Sequence, residues 1–310
     1  MKAIIIHELG GPEVLQVEEV PDPAPAAGEI LVEVHAASVN PADAKVRARG
    51  AYSRWTSFSI PYCLGRDFSG VVKAGGEGVT DFQPGDPVFG VLPAGIEGTY
   101  CEMLTVDASV VAHKPDTLKH EEAAALTLTG LTALVSIEDT IELKAGEKIL
   151  IHAGAGGVGS FAVQLAKHTG AHVITTASAA NHDYVRSLGA DEVIDYNVQD
   201  FTEVLSNLDV VFDLIGLEVH QRSFSVLKPG GRIAYIGPLL EDAKPPRDDV
   251  TVFRPKVDRD RAHQLRILDL YAQGAIKLPD IETVPWLDVA KAHQMIETGH
   301  VRGKIVLMMK

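Results

Sequence analysis

Two cysteines, Cys63 and Cys101, are the only thiols in 310 residues. They are too few for a disulfide framework or a four-cysteine zinc site, and they suit a reducing compartment. Basic residues are also scarce: 28 Lys and Arg stand against 42 Asp and Glu, a formal charge of -14. No local Lys/Arg cluster offsets it, so a phosphate backbone would be repelled and nucleic acid is excluded as a partner. No stretch approaches the roughly 20 apolar residues of a membrane span. The apolar run Ala3 to Ile6 is too short for a signal-peptide core. A cytoplasmic protein with no membrane partner is expected. The 12 histidines form no HExxH pattern and no i, i+4 pair beside a carboxylate, so they read as surface or capping residues.

The composition that is present is that of an ordinary globular chain, 46% hydrophobic and 23% charged, with length for about two domains. Residues 148 to 171 read KILIHAGAGGVGSFAVQLAKHTGA. A short apolar strand, Ile149 to His152, runs into Gly154, Gly156 and Gly159. A helical pattern follows, with Phe161, Val163, Leu165 and Ala166 in its apolar positions. In this context Gly154 serves the tight turn, Gly156 lets backbone approach a pyrophosphate, and Gly159 lets helix pack on strand. The helix N-terminus, through Gly157 and Val158, offers free N–H groups to an anion. The alternative for a lone glycine pattern is a tight structural turn; strand before and helix after favour a dinucleotide site.

Residues 2 to 119 are β-rich and broken by Pro and Gly clusters such as PDPAPAAGE and FQPGDP, the mark of a compact β domain. From about His120 strands and helices alternate: HVITTA, NHDYVRSLG, EVIDY, VQDFTEVLSN, LDVVFDLIG, EVHQRSFSVLK and GRIAYIG. Such alternation implies an α/β fold, a doubly wound parallel sheet whose ligand sits at the strand C-termini. The turns after Ala177, Asp213 and Ile236 are therefore cofactor-facing candidates. A helix from Asp258 to Gly274 and a final strand return to the first domain. The expected divisions are 1–119, 120–257 and 258–310, two domains sharing one cleft.

The chain resembles the medium-chain dehydrogenase/reductase superfamily, and within it the zinc-free quinone oxidoreductase branch. The matching motifs are SVNPADAKVRARGAY at 38 to 52, PYCLGRDFSGVV at 61 to 72, PGDPVFG at 84 to 90, LTGLTAL at 128 to 134, AGAGGVG at 153 to 159, LGADEVIDY at 188 to 196 and GKIVL at 303 to 307. The resemblance implies a GroES-like β domain with a Rossmann domain, reduction of quinones or activated alkenes with NADPH, and a homodimer. Zinc enzymes of the superfamily carry Cys where this chain has Asn40, and Gly-His-Glu where it has Gly65, Arg66 and Asp67. No metal is therefore expected.

An NAD-specific site usually ends its second strand in Asp or Glu, whereas this chain has Thr175, Thr176, Ala177 and Ser178. Ser178 can donate to a 2′-phosphate, with Asn181, His182 and Arg186 nearby, so NADPH is favoured; Asp183 is the dissenting residue. The resemblance places Thr129, Tyr196, Gly216 and Gly237 against the cofactor, with strand-end packing or turn roles as their structural alternatives. It also makes Asn40 and Tyr52 the catalytic candidates beside the nicotinamide. A phenol there can hydrogen-bond the cofactor amide or protonate an enone. The structural alternatives are a turn-forming Asn40 before Pro41 and a rim Tyr52 packed beside Trp55. Asp43, Asp67 and Arg66 read as loop braces. Loops 41–60, 93–98 and 238–260 are expected to shape the substrate pocket, the last as a lid or an oligomer contact. An S-adenosylmethionine methyltransferase would need an acid where His152 stands and leaves the β domain unexplained. A short-chain dehydrogenase would need a Tyr followed four residues later by Lys. A non-catalytic NADPH-binding sensor and an enoyl-thioester reductase remain as alternatives.

Overall fold

The computed structural model describes residues 1–50, 58–242 and 244–309. The chain divides into two compact units. One is Met1–Leu128 with Arg259–Arg266 and Asp280–Lys310; the other is Thr129–Asp258 with Ile267–Pro279. These divisions differ from those at 119/120 and 257/258. One boundary falls inside a continuous helix, α2 (His120–Leu134), and the C-terminal return is shared between the units.

In the first unit the strands are β1 (Lys2–Ile6), β2 (Gln16–Glu19), β3 (Glu29–Val39), β4 (Tyr62–Cys63), β5 (Asp67–Gly75), β6 (Pro87–Val91), β7 (Met103–Asp107) and β8 (Val111–His113). The long strand β3 organises them. Its alternation buries Ile30, Val32, Val34 and Ala36 while Glu29, Glu33 and His35 stay partly exposed, the period-2 pattern of a half-buried strand. One edge pairs with β5. The other is divided between β7 at residues 29–33 and β16 (Lys304–Met308) at residues 36–39. With β15 (Ile281–Pro285) these form a sheet ordered β15-β16-β3-β5-β6-β8, and β2-β1-β4 form a smaller one. The β-rich reading of this half omits a helix, α1 (Pro41–Arg49). Pro41 stands at its first position, Asp43 Oδ2 accepts the Asn40 N–H at 2.8 Å, and Gly50 closes it at φ 81. Pro at N1 and a left-handed Gly after the last turn are its start and stop signals. A second helix, α8 (Val289–Glu297), also belongs here.

The second unit is a six-stranded, wholly parallel sheet: β9 (Lys148–Ile151), β10 (His172–Ala177), β11 (Glu192–Asp195), β12 (Leu208–Asp213), β13 (Leu227–Tyr235) and β14 (Thr251–Phe253), ordered β11-β10-β9-β12-β13-β14. Strand order reverses between β9 and β12, which places the ends of those two strands at the switch point where such sheets bind ligands. Leu150, Ile174, Val211, Phe224 and Ile233 form its core. The connecting helices are α3 (Gly157–Thr169), α4 (His182–Ser187), α5 (Phe201–Val204) and α6 (Leu217–Ser223); α7 (Arg261–Ala272) follows β14 and begins three residues after Asp258. Residues 238–260, expected to be loop throughout, contain β14. That strand is three residues long and too short to leave a periodic signal. Among the described residues no helix is long and apolar enough to cross a membrane.

Ile267–Pro279 joins this unit through an amide clamp. The buried Gln164 of α3 accepts the Lys277 N–H at 2.7 Å and donates to the Lys277 carbonyl at 3.0 Å. Gln164→Leu leaves both backbone groups without that partner. It should lower the unfolding free energy by about 1–2 kcal/mol, measured as a lower urea midpoint with unchanged slope.

Candidate functional site

The β9–α3 loop combines packed ends with an open tip. A Cβ on Gly154 would lie 2.1 Å from Thr175 Oγ1, and one on Gly159 would lie 2.2 Å from the Ala153 carbonyl oxygen and 2.8 Å from Gly154 Cα. Only glycine allows either approach. The left-handed residue of the turn is Ala153, at φ 57, not Gly154; Gly154 is needed instead for contact with β10. Gly156 is different, because a Cβ there meets nothing closer than 3.5 Å. Gly156, Gly157 and Val158 are partly exposed, and no side chain caps α3 at Gly156. The first-turn N–H groups, which have no intrahelical acceptor, are therefore presented with the positive end of the helix dipole to an anion. Behind the loop, Thr176 Oγ1 accepts the Ala153 N–H at 3.1 Å and contacts His152 Nδ1 at 3.3 Å. His152 Nε2 lies 3.1 Å from Ser223 Oγ, and burial holds this imidazole down to about 4, so it is neutral. Its place at the end of β9 is that of a bracing residue.

Beyond β10, Ser178 is partly exposed and its Oγ accepts from Asn181 Nδ2 at 3.3 Å, which leaves the hydroxyl hydrogen to donate. His182 Nε2 is buried with no hydrogen-bond partner. Arg186 faces Asp183 at 3.8 Å, and both are exposed. One acid in this neighbourhood escapes a reading of the second strand alone. Asp195 ends β11 in register with Ala177. Hydrogen bonds from the Asn197 backbone and side chain, both at 3.0 Å, and from the Ala179 N–H hold its carboxyl below the usual carboxylate range. Tyr196 beside it is 49% exposed, while Thr129 in α2 is buried. Gly216 and Gly237 are buried against each other's loops. Cβ atoms on them would lie 2.0 Å from the Pro238 carbonyl oxygen and 2.5 Å from Ile215 C, and the Leu217 N–H donates to Pro238 O at 2.7 Å. Close backbone packing of the two strand-end loops is what demands glycine at both positions.

In the first unit Asn40 is 4% exposed and its amide is occupied internally. Nδ2 donates to Asp67 Oδ2 at 3.1 Å and to Ser38 O at 3.3 Å, and Oδ1 accepts from Lys304 Nζ at 2.8 Å. Asn40 is thus neither a simple turn residue nor an amide free for substrate: both Nδ2 hydrogens have partners. Lys304 also donates to Val39 O at 3.1 Å, and Ser38 gives Asp67 its N–H at 2.8 Å and its hydroxyl at 2.7 Å. Burial depresses the Lys304 ammonium, while Asp67 and Asp43 support it; burial raises the Asp67 carboxyl, opposed by Lys304 and Ser38. Tyr52 and Trp55 lie outside the described residues.

Arg66 selects Asp43, at 3.0 Å from Nε, and reaches Glu97 through its other guanidinium nitrogen. Tyr100 donates to Asp43 Oδ2 at 3.0 Å. Glu97 Oε2 is buried without a partner. Burial and the neighbouring Asp43 push the Glu97 carboxyl up to about 7 against the opposing pull of Arg66 and Arg259, and burial lowers the Arg259 guanidinium to about 10. Nothing local in the sequence singles out Glu97, Tyr100, Arg259 or Lys304. A lone Glu in GIEGTY or a Lys opening a strand carries no local sign of burial. For zinc, the donor set here does not fit: among the described residues no group of three or more His, Cys, Asp and Glu converges. Asn40 and Asp67 already surround an ammonium ion, which would repel a second cation.

Zinc should accordingly be substoichiometric in the purified protein, and one equivalent by elemental analysis would overturn this. Glu97 supplies a pH dependence of stability. A carboxyl raised from its ordinary 4.5 to about 7 on folding stabilises fully below pH 4.5 and loses that contribution as pH rises through 7. Between pH 5 and 8 the native chain should lose on the order of 2–3 kcal/mol relative to Glu97→Gln, read from urea midpoints of the two proteins across that range.

Residues 26–116 match the family model described as alcohol dehydrogenase GroES-like domain, and residues 188–307 the model described as zinc-binding dehydrogenase. The chloroplastic NADPH-dependent alkenal/one oxidoreductase of Arabidopsis thaliana is 34% identical over 319 residues, covering 99% of this chain and 79% of the relative. The quinone oxidoreductase structure from Coxiella burnetii superposes with a TM-score of 0.91 at 33% identity, over 100% of this chain and 99% of that one. The Escherichia coli quinone oxidoreductase complexed with NADPH does so with a TM-score of 0.91 at 30% identity, over 99% and 100%. A GroES-like β unit, a parallel dinucleotide-type sheet and these relatives agree: the chain belongs to the zinc-free quinone oxidoreductase branch of the medium-chain dehydrogenase/reductase superfamily.

Proposed function

We propose that this protein, an NADPH-dependent oxidoreductase, reduces a quinone or an activated alkene such as an enone or enal. The observation that carries the reading is the open Gly156–Val158 tip at the uncapped N-terminus of α3, with a free serine hydroxyl rather than a carboxylate ending β10. When bound, NADPH supplies a hydride to an electrophilic carbon. The chain's own groups bind and orient. The N–H groups at 157–159 receive the diphosphate. Ser178 donates to the 2′-phosphate, and His182 Nε2, buried without a partner, is the second donor on that side. Thr129 and the exposed Tyr196 contact the cofactor, and Gly216 and Gly237 keep two strand-end loops closed on one another.

Asn40 acts as a positioning residue through Asp67 and Lys304. Tyr52 donates a proton to the reduced substrate or a hydrogen bond to the cofactor amide, a role resting on the family match alone. The same basis supports a homodimer in the cytoplasm. The names of the relatives, quinone oxidoreductase and alkenal/one oxidoreductase, bracket the substrate class.

NADPH absorbance followed with a naphthoquinone, a small enone and an enoyl thioester tests the reading. Oxidation with the quinone or the enone is expected. Flat traces with all three would favour a non-catalytic NADPH-binding sensor, and a response to the thioester alone an enoyl reductase. Ser178→Ala should raise KM for NADPH about tenfold, the loss of one hydrogen bond to a charged group, and leave KM for NADH unchanged.

A further inference from the structure

Cys63 and Cys101 are far apart in sequence and adjacent in the fold. Tyr100 N–H donates to Leu64 O at 3.0 Å, and Gly98 N–H to Gly65 O at 2.8 Å. The segments 63–66 and 98–101 therefore run antiparallel, and the residues flanking the Leu64/Tyr100 contact on the same side are the two cysteines. The approach is close enough that a Cβ on Gly65 would stand 2.3 Å from Thr99 Oγ1 and 2.5 Å from the Tyr100 ring. Cys63 Sγ lies 3.7 Å from the carbonyl oxygen of Tyr100, the residue joined to Cys101. Cys63 packs on the apolar cluster that contains Cys101. The strand β1 braces both, with Ile5 opposite Cys63 and Ala3 bridged to Cys101. Residues opposite positions 3 and 5 of one strand stand about 6.6 Å apart between Cα atoms, at the upper end of the Cα separation a disulfide spans.

The two thiols differ in character. Cys63 is partly exposed; Cys101 is 3% exposed and its Sγ lies 3.1 Å from Gly98 O and 3.0 Å from Met103 O, the acceptors within reach of its single thiol hydrogen. The hydrogen bond with Cys63, and burial, push the Cys101 thiol well above its ordinary value. Two neighbouring thiols, the first less buried than the second, can pass from a sulfenic acid on the first to a disulfide with the second.

We propose that Cys63 and Cys101 form a reversible thiol oxidation site, with hydrogen peroxide as the oxidant. The Cys63 sulfur attacks one peroxide oxygen, the O–O bond breaks, and Cys63 becomes a sulfenic acid with release of one water. The Cys101 sulfur then attacks the Cys63 sulfur, displacing the hydroxyl as a second water and forming the disulfide. Two thiols lose two hydrogens and two electrons, and peroxide is reduced to two waters. A dithiol reductant restores the pair. The bond closes beside Arg66 and Glu97, so it locks the segment that carries the Glu97 carboxyl. This site is independent of which molecule receives the hydride.

The full-length reduced protein, treated with a few equivalents of peroxide, should lose two hydrogens in mass, drop from two titratable thiols to none, and yield a peptide linking residues 63 and 101 that dithiothreitol separates. Cys101→Ala removes the resolving sulfur, and Cys63 should then gain two oxygens as sulfinic acid under the same treatment. Cys63→Ser, at the less buried position, should keep its single thiol. Retention of two thiols in the native protein, sulfinic acid at Cys63 despite an intact Cys101, or a link only between chains would overturn the proposal.

Discussion

An ammonium ion removed from water must be met by acceptors wherever it sits, and Lys304 meets them where three distant segments converge. Its Nζ bonds the Val39 carbonyl at the end of β3 and the Asn40 amide ahead of α1, and is supported by Asp67 at the start of β5. Losing one partner of a buried charged set costs about 3–5 kcal/mol, so these backbones are held in one arrangement. Arg66, next to Asp67, extends the set to Asp43 and Glu97 and fixes residues 97–100. The geometry of the loops around Asn40 follows from balancing buried charge as much as from packing apolar side chains.

The nucleotide unit depends on a different constraint, the distance between backbones. Gly154 against Thr175, Gly159 against Ala153, and Gly216 against Pro238 each leave no room for a Cβ. On Gly156 alone among these would a Cβ meet only ordinary contact, 3.5 Å from the Ala153 carbonyl oxygen. Five glycines that look alike in sequence therefore divide into four that let chain pass chain, Gly237 among them, and one that keeps a surface clear for an anion. The buried neutral His152, bonded on both ring nitrogens, steadies that surface from behind.

How much could be read beforehand depended on how local each feature is. The alternation of β3, the parallel strands β9 to β13 and the glycine loop are legible because period, turn residue and strand length are properties of consecutive residues. Helix α1 is less legible although Asn40, Pro41, Asp43 and Gly50 are its caps, since the short punctuated segments around it suggest strands. Strand β14 is illegible because three residues have no period. Asp195 gives no such sign because it belongs to the third strand, and only the parallel register places it beside Ala177. Asn40 is singled out by the family resemblance as a catalytic candidate. That its amide is engaged with Asp67, Ser38 and Lys304 depends on residues as far as 264 positions away.

By itself the sequence determined the family, the α/β class, the glycine loop and the absence of an acid after the second strand, all carried by short stretches whose chemistry is local. Tertiary structure alone decided which glycines clear a site and which admit a neighbour, where the buried ions find partners, why Glu97 titrates near neutrality, and that the two cysteines stand side by side. Each of these is set by distance and burial between segments remote in sequence, and neither quantity is defined until the chain has folded.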